Sequence, residues 1–216
     1  RIINNNYLQV ALQPDANGVY KTLGEAVREA KNYTYQNFAD ISNNRKFTLL
    51  GDPALTLAFP LLKIKTTTVN GIPVSMADTL SATEKVTIEA EITDAQGNLQ
   101  QQFNGNAYPV VFDKPQSIRT LANDAGSPVT DFQTRTNVLF KGKSSVTGGK
   151  FSFTFKVPKD INYQFGNGRV SLYAENGSQD ANGFFTDLII GGAGNNIDAD
   201  NTGPDFATGK DGDAKA

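Results

Sequence analysis

The sequence predicts a mainly β protein whose larger part is an antiparallel sandwich. Three observations carry this. From Leu62 onward, apolar residues recur with a period of two. The runs are short and are separated by turns rich in Gly, Asn and Asp. Before Leu62 the period is that of a helix, and that piece is too small to bury a core of its own.

Taken in order, Thr22-Leu23-Gly24-Glu25 has the form of a capping box, with Thr22 as N-cap and Glu25 three residues on. Leu23, Ala26, Val27 and Ala30 then mark one apolar helix face, which predicts a helix over 23–36. Asn43-Asn44 reads as a loop, Phe47 to Leu50 as a short strand, Gly51-Asp52-Pro53 as a turn, and Leu55, Leu57 and Phe59 as a second strand that Pro60 ends. This is a short α/β piece. In the β part, Leu62 and Ile64 open an alternation that runs to Thr68, and Asn70-Gly71 is a tight-turn signal. Val86, Ile88, Ala90 and Ile92 form a half-buried strand. Further strands are expected at Tyr108, Val110 and Phe112; at Val138 and Phe140; at Phe151, Phe153 and Phe155; at Val170, Leu172 and Ala174; and at Phe185, Leu188 and Ile190. Six to eight such strands predict an immunoglobulin-like antiparallel sandwich. The expected divisions are 1–61 for the α/β piece, 62–192 for the sandwich and 193–216 for a linker or tail rich in Gly, Asn and Asp.

Composition narrows the chemistry. The 216 residues include no Cys and no His. Thiol nucleophiles, disulfides, Cys-type zinc sites and Ser-His-Asp arrangements are excluded for this chain. A net charge of −2, from 20 basic and 22 acidic residues, gives no basic footprint for nucleic acid. No apolar run approaches the roughly 18 residues of a membrane-spanning helix. The start, Arg1-Ile2-Ile3-Asn4-Asn5-Asn6, has neither a signal core nor an initiator Met, so the chain is expected to be an excised or processed piece.

Four groups of residues invite a functional reading. Asp198-Ala199-Asp200-Asn201-Thr202-Gly203 begins like a calcium loop, but Gly209 stands where the bidentate Glu is needed. Asp198 and Asp200 are therefore weak calcium ligands on an expected solvated tail, and no cofactor is assigned. Glu89 and Glu91 share one strand face, where solvation is the ordinary state and paired-carboxylate catalysis the rare one. Lys143-Ser144-Ser145 lacks the helical Ser-x-x-Lys spacing of a Ser–Lys pair and reads as a loop. Gly191-Gly192-Ala193-Gly194 follows a strand, yet Asn195-Asn196 is a poor start for the helix that a phosphate cradle needs. The glycosylation triplets at Asn32 and Asn176 occur often by chance. No catalytic residue is assigned.

One stretch carries a family resemblance. Thr22 to Asn32 (TLGEAVREAKN) and Asn44 to Leu57 (NRKFTLLGDPALTL) resemble the C-terminal end of a gingipain-type, family C25, cysteine peptidase domain. The β region that follows, closing on Gly183 to Gly192, resembles the part after the peptidase domain in the sortases of the type IX secretion system. The resemblance implies a parent at the cell surface of a Bacteroidota-type bacterium, outside the cell or on its outer membrane. That parent would cleave sorting signals from secreted cargo and help attach the cargo to the surface. Its Cys and His would lie in a peptidase domain upstream of Arg1, and this chain alone would be inactive. The implied partners are that upstream domain, secretion-system components and cargo. Gly51, Asp52 and Pro53 match a motif whose implied role is a structural turn. The other reading is a stand-alone adhesion or carbohydrate-binding sandwich, for which Tyr108, Tyr163 and Tyr173 are the aromatic candidates.

Overall fold

Residues 2–16, 18–39, 41–77 and 79–193 are described by a computed structural model. Helices α1 (Ile2–Ala11), α2 (Leu23–Phe38) and α3 (Ile41–Lys46) come first. The strands that follow are β1 (Leu62–Val69), β2 (Ile72–Pro73), β3 (Leu80–Ala82), β4 (Lys85–Thr93), β5 (Gly105–Phe112), β6 (Gln116–Arg119) and β7 (Asp131–Thr134). They continue with β8 (Val138–Lys141), β9 (Ser144–Val146), β10 (Lys150–Lys156), β11 (Gly166–Asn167), β12 (Arg169–Glu175), β13 (Asp180–Phe185) and β14 (Ile189–Ala193). The chain is mainly β with a short helical beginning.

A nine-stranded sheet runs β10-β4-β1-β13-β12-β5-β8, with β2 on β1 and β9 on β5. A second sheet is β11-β14-β3, and β6 and β7 form a hairpin of their own. The β1–β13 and β14–β3 pairings are parallel and the others antiparallel. The two ends of the large sheet meet. Ser144 Oγ of β9 donates to Ser152 O of β10 at 2.6 Å, and the Phe140 ring of β8 stacks on Phe153 and Phe155 of β10, at 5.6 and 5.2 Å.

The period-two pattern explains the core. Val86, Ile88, Ala90 and Ile92 of β4 face inward beside Phe151, Phe153 and Phe155 of β10. On β1 the inward set is Leu62, Ile64, Thr66 and then Val69, because a bulge between Thr66 and Thr68 shifts the parity by one residue. Asn70 and Gly71, at φ of 53° and 76°, close the β1–β2 hairpin with the two positive φ values that a type I′ turn requires. The apolar core cluster is drawn from residues 62–190, and Ile3, Ala11, Ala26 and Ala30 of the helices are not part of it.

Several elements differ from the sequence reading. On β5, Ala107, Pro109 and Val111 face inward and Tyr108 faces out. The register sets that inner row opposite Ala174, Leu172 and Val170 of β12, whose inward faces are fixed. Pro109, which has no N–H, sits where the partner of β5 changes from β9 to β8, so no ladder donor is missed. Asn43 and Asn44 lie in α3, and Ser144 and Ser145 lie in β9. Residues 47–50 form no strand, and 55–59 pair only through a bridge from Thr56 to Thr22. The first turn of α2 takes Leu55 O and Pro53 O instead, from Leu23 N and Gly24 N. Ala193 ends β14, and the rest of the expected tail lies outside the described residues.

Asp113 is 2% exposed and clips together the two roots of the β6–β7 hairpin. Its Oδ1 accepts from Lys114 N and Nζ, both at 2.8 Å, and its Oδ2 accepts from Asn137 Nδ2 at 3.2 Å. Asp113 N donates to Asn137 O. Burial alone would raise the carboxyl pKa, but the Lys114 ammonium and backbone N–H, with the Asn137 amide, outweigh it and hold Asp113 below the usual carboxylate range.

Phe153→Ala empties a stacked, buried position and is expected to cost about 3–5 kcal/mol in urea unfolding. Phe184→Ala, at a ring that is 66% exposed, should stay within about 0.5 kcal/mol. Because the folded pKa of Asp113 is depressed, its stabilisation is fully present above the unfolded value of about 3.9 and is lost as pH falls through the lower folded value. Asp113→Asn should therefore lower stability at neutral pH and flatten the acid limb of the stability–pH curve. An unchanged acid limb would count against the clip.

Candidate interaction surface

The helical piece is built around one docking contact. Thr22 caps α2 in a full capping box, with Glu25 N donating to Thr22 Oγ1 and Thr22 N donating to Glu25 Oε2, both at 3.2 Å. The backbone and hydroxyl hydrogen bonds from Thr22 hold the Glu25 carboxyl below its ordinary pKa. Helix starts leave unpaired N–H groups. Here Leu23 N and Gly24 N meet Leu55 O and Pro53 O, at 2.8 and 2.9 Å. A Cβ on Gly24 would fall 2.7 Å from Pro53 Cβ, so only glycine lets the turn approach this closely. The Asp52 carboxylate accepts from Ala54 N at 2.8 Å and shapes the turn from inside. The two stretches that carry the family resemblance are thus two halves of one contact.

Behind it, α1 packs on α2 through small side chains. Ile3 and Ala11 lie against Ala26, Ala30 and Thr34. Asn6 Nδ2 donates to Thr34 Oγ1, which donates to Ala30 O. The contact leaves much apolar surface outside. The helical piece buries Ile3 and three alanines, while twelve large apolar or aromatic side chains between Ile2 and Leu61 are exposed, among them Tyr35, Phe38, Leu55 and Leu50, the last at 92%. That is the reverse of a self-sufficient core, and exposed apolar area of this kind marks an interaction face.

The other sequence candidates are placed as follows. Glu89, Glu91, Ser144 and Ser145 do come together, with Thr67, Lys150 and Ser152, in a polar groove of about 760 Å³. Glu91 stands opposite Lys65 on one side and Lys150 on the other, and Glu89 accepts from the Thr68 hydroxyl. The Ser144 hydroxyl bonds a strand carbonyl, so no base stands ready to activate it. The groove is a solvated sheet face with complementary cross-strand charges. Tyr108 and Tyr173 sit side by side on the outer face of β5 and β12, with ring centroids 6.2 Å apart, whereas Tyr163 donates to Lys159 O in the segment before β11. Thr34 of one glycosylation triplet is buried between helices. Asp198 and Asp200 lie outside the described residues. Among the described residues there is no group of three or more Asp, Glu, His or Cys arranged to hold a metal ion, and no helix long and apolar enough to cross a membrane. An apolar face on residues 1–60 is what the sequence reading expects, and the structure shows which side chains are exposed there. The signal for that face was the ratio of large apolar residues to available partners in 1–61.

Comparison with known proteins finds similarity in both parts of the chain. Residues 1–58 match the model of Peptidase family C25, the cysteine peptidase family to which the sequence motifs pointed. Among solved structures, the chain is similar to dimeric latent PorU from Porphyromonas gingivalis, with a TM-score of 0.57 and 29% identity over 89% of this chain. The chain spans 18% of the length of that structure. A PapD-like domain of human CEP192 aligns over 67% of this chain at 13% identity, with a TM-score of 0.28 that carries no fold argument. No curated protein sequence matches the chain.

Gly24→Ala tests the central contact. The added methyl must push the turn at Pro53 away, at a cost of about 1–3 kcal/mol. Amide exchange at Leu23 and Gly24 should accelerate, and protease cutting at 51–55 should appear. Unchanged exchange in the variant would mean that the contact does not hold the piece together.

Proposed function

We propose that this chain is the non-catalytic C-terminal region of a gingipain-like cysteine peptidase of the type IX secretion system, acting at the outer surface of a Bacteroidota-type bacterium. Residues 1–61 complete the end of a peptidase domain, and 62–192 form a β domain that buttresses it. The parent would process secreted cargo by proteolysis and attach it to the surface, with its Cys and His in the domain ahead of this chain. The observation that carries the reading is the exposed apolar surface on residues 1–61, in the segment that matches Peptidase family C25. The missing peptidase domain is the partner of that surface. Secretion components or cargo would then meet the β domain.

The test uses the chain alone and a longer chain with a C25 peptidase domain ahead of residue 1. The chain alone should bind an apolar-surface dye, and Phe38→Asp with Leu50→Asp should remove most of that signal without unfolding the β domain. In the longer chain the dye signal should be absent, and the same two substitutions should lower its thermal midpoint. If the longer chain binds dye as strongly as the short one, the docking reading is wrong.

A second reading has one observation in its favour. The Tyr108–Tyr173 pair is an outward aromatic surface flanked by Asn106, Asn182 and Glu175, which is chemistry that suits a sugar ring. A glycan array in which Tyr173→Ala erases every hit would support a carbohydrate-binding β domain, and an empty array would remove it.

A further inference from the structure

A second concavity lies at the foot of the β6–β7 hairpin. Its volume is about 320 Å³, within the range of small-ligand sites. One wall is the hairpin root, with Lys114 and Pro115 on the way in and Arg135 on the way out. The other wall is the 162–167 segment, which contributes Asn162, Gln164 and the Phe165 ring.

The charged groups here, Lys114 and Arg135, are donors, and the side-chain amides of Asn162, Gln164 and Asn167 can donate as well as accept. Arg135 makes no hydrogen bond or ion pair with any described residue, and its Nε is closed off from solvent without a protein acceptor. A buried donor left unpaired costs about 1–3 kcal/mol, so the unpaired Arg135 Nε at the cleft wall calls for an acceptor. Lys114 Nζ donates to Asp113 Oδ1 and to Ile190 O, which uses two of its three N–H groups. Its stem lies against Gly166, where a Cβ would come 2.8 Å from Lys114 Cδ, so the ammonium is held in place. The acid at this root, Asp113, is bound by Lys114 and Asn137 and does not line the cleft. The lining therefore carries two cations and no carboxylate. Beside them, Phe165 is 69% exposed and presents a ring face.

We propose that this cleft binds the oxyanion group, carboxylate or phosphate, of a small ligand with a flat apolar body. The Arg135 fork matches two oxygens of such a group, and a slight turn of the guanidinium lets Nε join. The remaining Lys114 donor and the side-chain amides of Asn162 and Gln164 complete the acceptor-seeking rim. Phe165 and Pro115 hold the flat body. The site is independent of the docking surface on residues 1–61, since it draws only on 114–115, 135 and 162–167.

The test is an amide-shift titration of the full chain with sodium benzoate and, separately, with inorganic phosphate. Benzoate supplies a carboxylate on a ring and phosphate supplies charge alone. Shifts should cluster at 114–115, 135 and 162–167, with a dissociation constant on the order of 1 mM for benzoate, a weaker one for phosphate, and a loss of affinity at high salt. Arg135→Gln should weaken both probes by at least about tenfold, because it removes a charged, forked donor. Phe165→Ala, at an exposed ring that leaves the fold intact, should weaken benzoate and leave phosphate unchanged. Arg119→Gln, a cation on the hairpin already paired with Asp131, should change neither. Shifts spread over surface lysines, or benzoate binding that survives both Arg135→Gln and Phe165→Ala, would overturn the proposal. So would the absence of any shift at these positions.

Discussion

The stack of Phe140 on Phe153 and Phe155 gives the large sheet an inside. It joins β8, at one end of the strand order, to β10, at the other, and so curls nine strands around one core. Without this seam the rings of Phe153 and Phe155 would lose the Phe140 ring that covers them at the end of the sheet. The inward row of β4 depends on it, because Val86, Ile88 and Ala90 are covered from one side by β1 and from the other by the same Phe-bearing strand. The polar groove at Glu89 and Glu91 is the outer face of this curled region and inherits its shape from it.

The helical piece obeys a different constraint. Its helices meet through alanines and a Thr–Asn hydrogen bond, so their contact is close but small in apolar area. Larger residues such as Tyr35, Phe38 and Leu50 are left facing out. The piece folds locally through a capping box and one glycine contact and keeps its large side chains outside, which is the observation behind the proposed docking. The family C25 match of residues 1–58 ends where the β core begins.

Much of the β part was legible because burial on one face writes a period of two into the sequence. The rows on β4, β10 and β12 and the Asn70-Gly71 turn all read directly. The capping box was legible for a similar reason, since its chemistry fits in four consecutive residues. Tyr108, Val110 and Phe112 misled, because size and hydrophobicity do not identify the inner face when the partner strand already fixes it with Ala174 and Leu172. Helix α1 was hidden by the run Asn4-Asn5-Asn6, whose low helix propensity is offset by packing on α2. At the expected strand 55–59, the start of α2 rather than another strand takes Leu55 O, and 47–50 has no strand partner. The Arg135 cleft could not have been read at all. Its members come from three separated stretches, and the β6–β7 ladder together with the clip at Asp113 and Asn137 brings the first two together.

The parallel pairing of β1 with β13 bears on the order in which the chain can fold. Leu62 pairs with Ala181, so the first strand of the β part waits for nearly its last before the middle of the sheet can close. Contacts of such long sequence separation are slow to form, and a chain emerging end-first cannot assemble this sheet by steps. In the helical piece, by contrast, the hydrogen bonds that join α1 to α2 and α2 to the turn at Pro53 close within residues 6–55 and can form before the sheet does. In a chain made from its N-terminus, the exposed side chains of residues 2–61 therefore meet any neighbouring domain before the sheet closes.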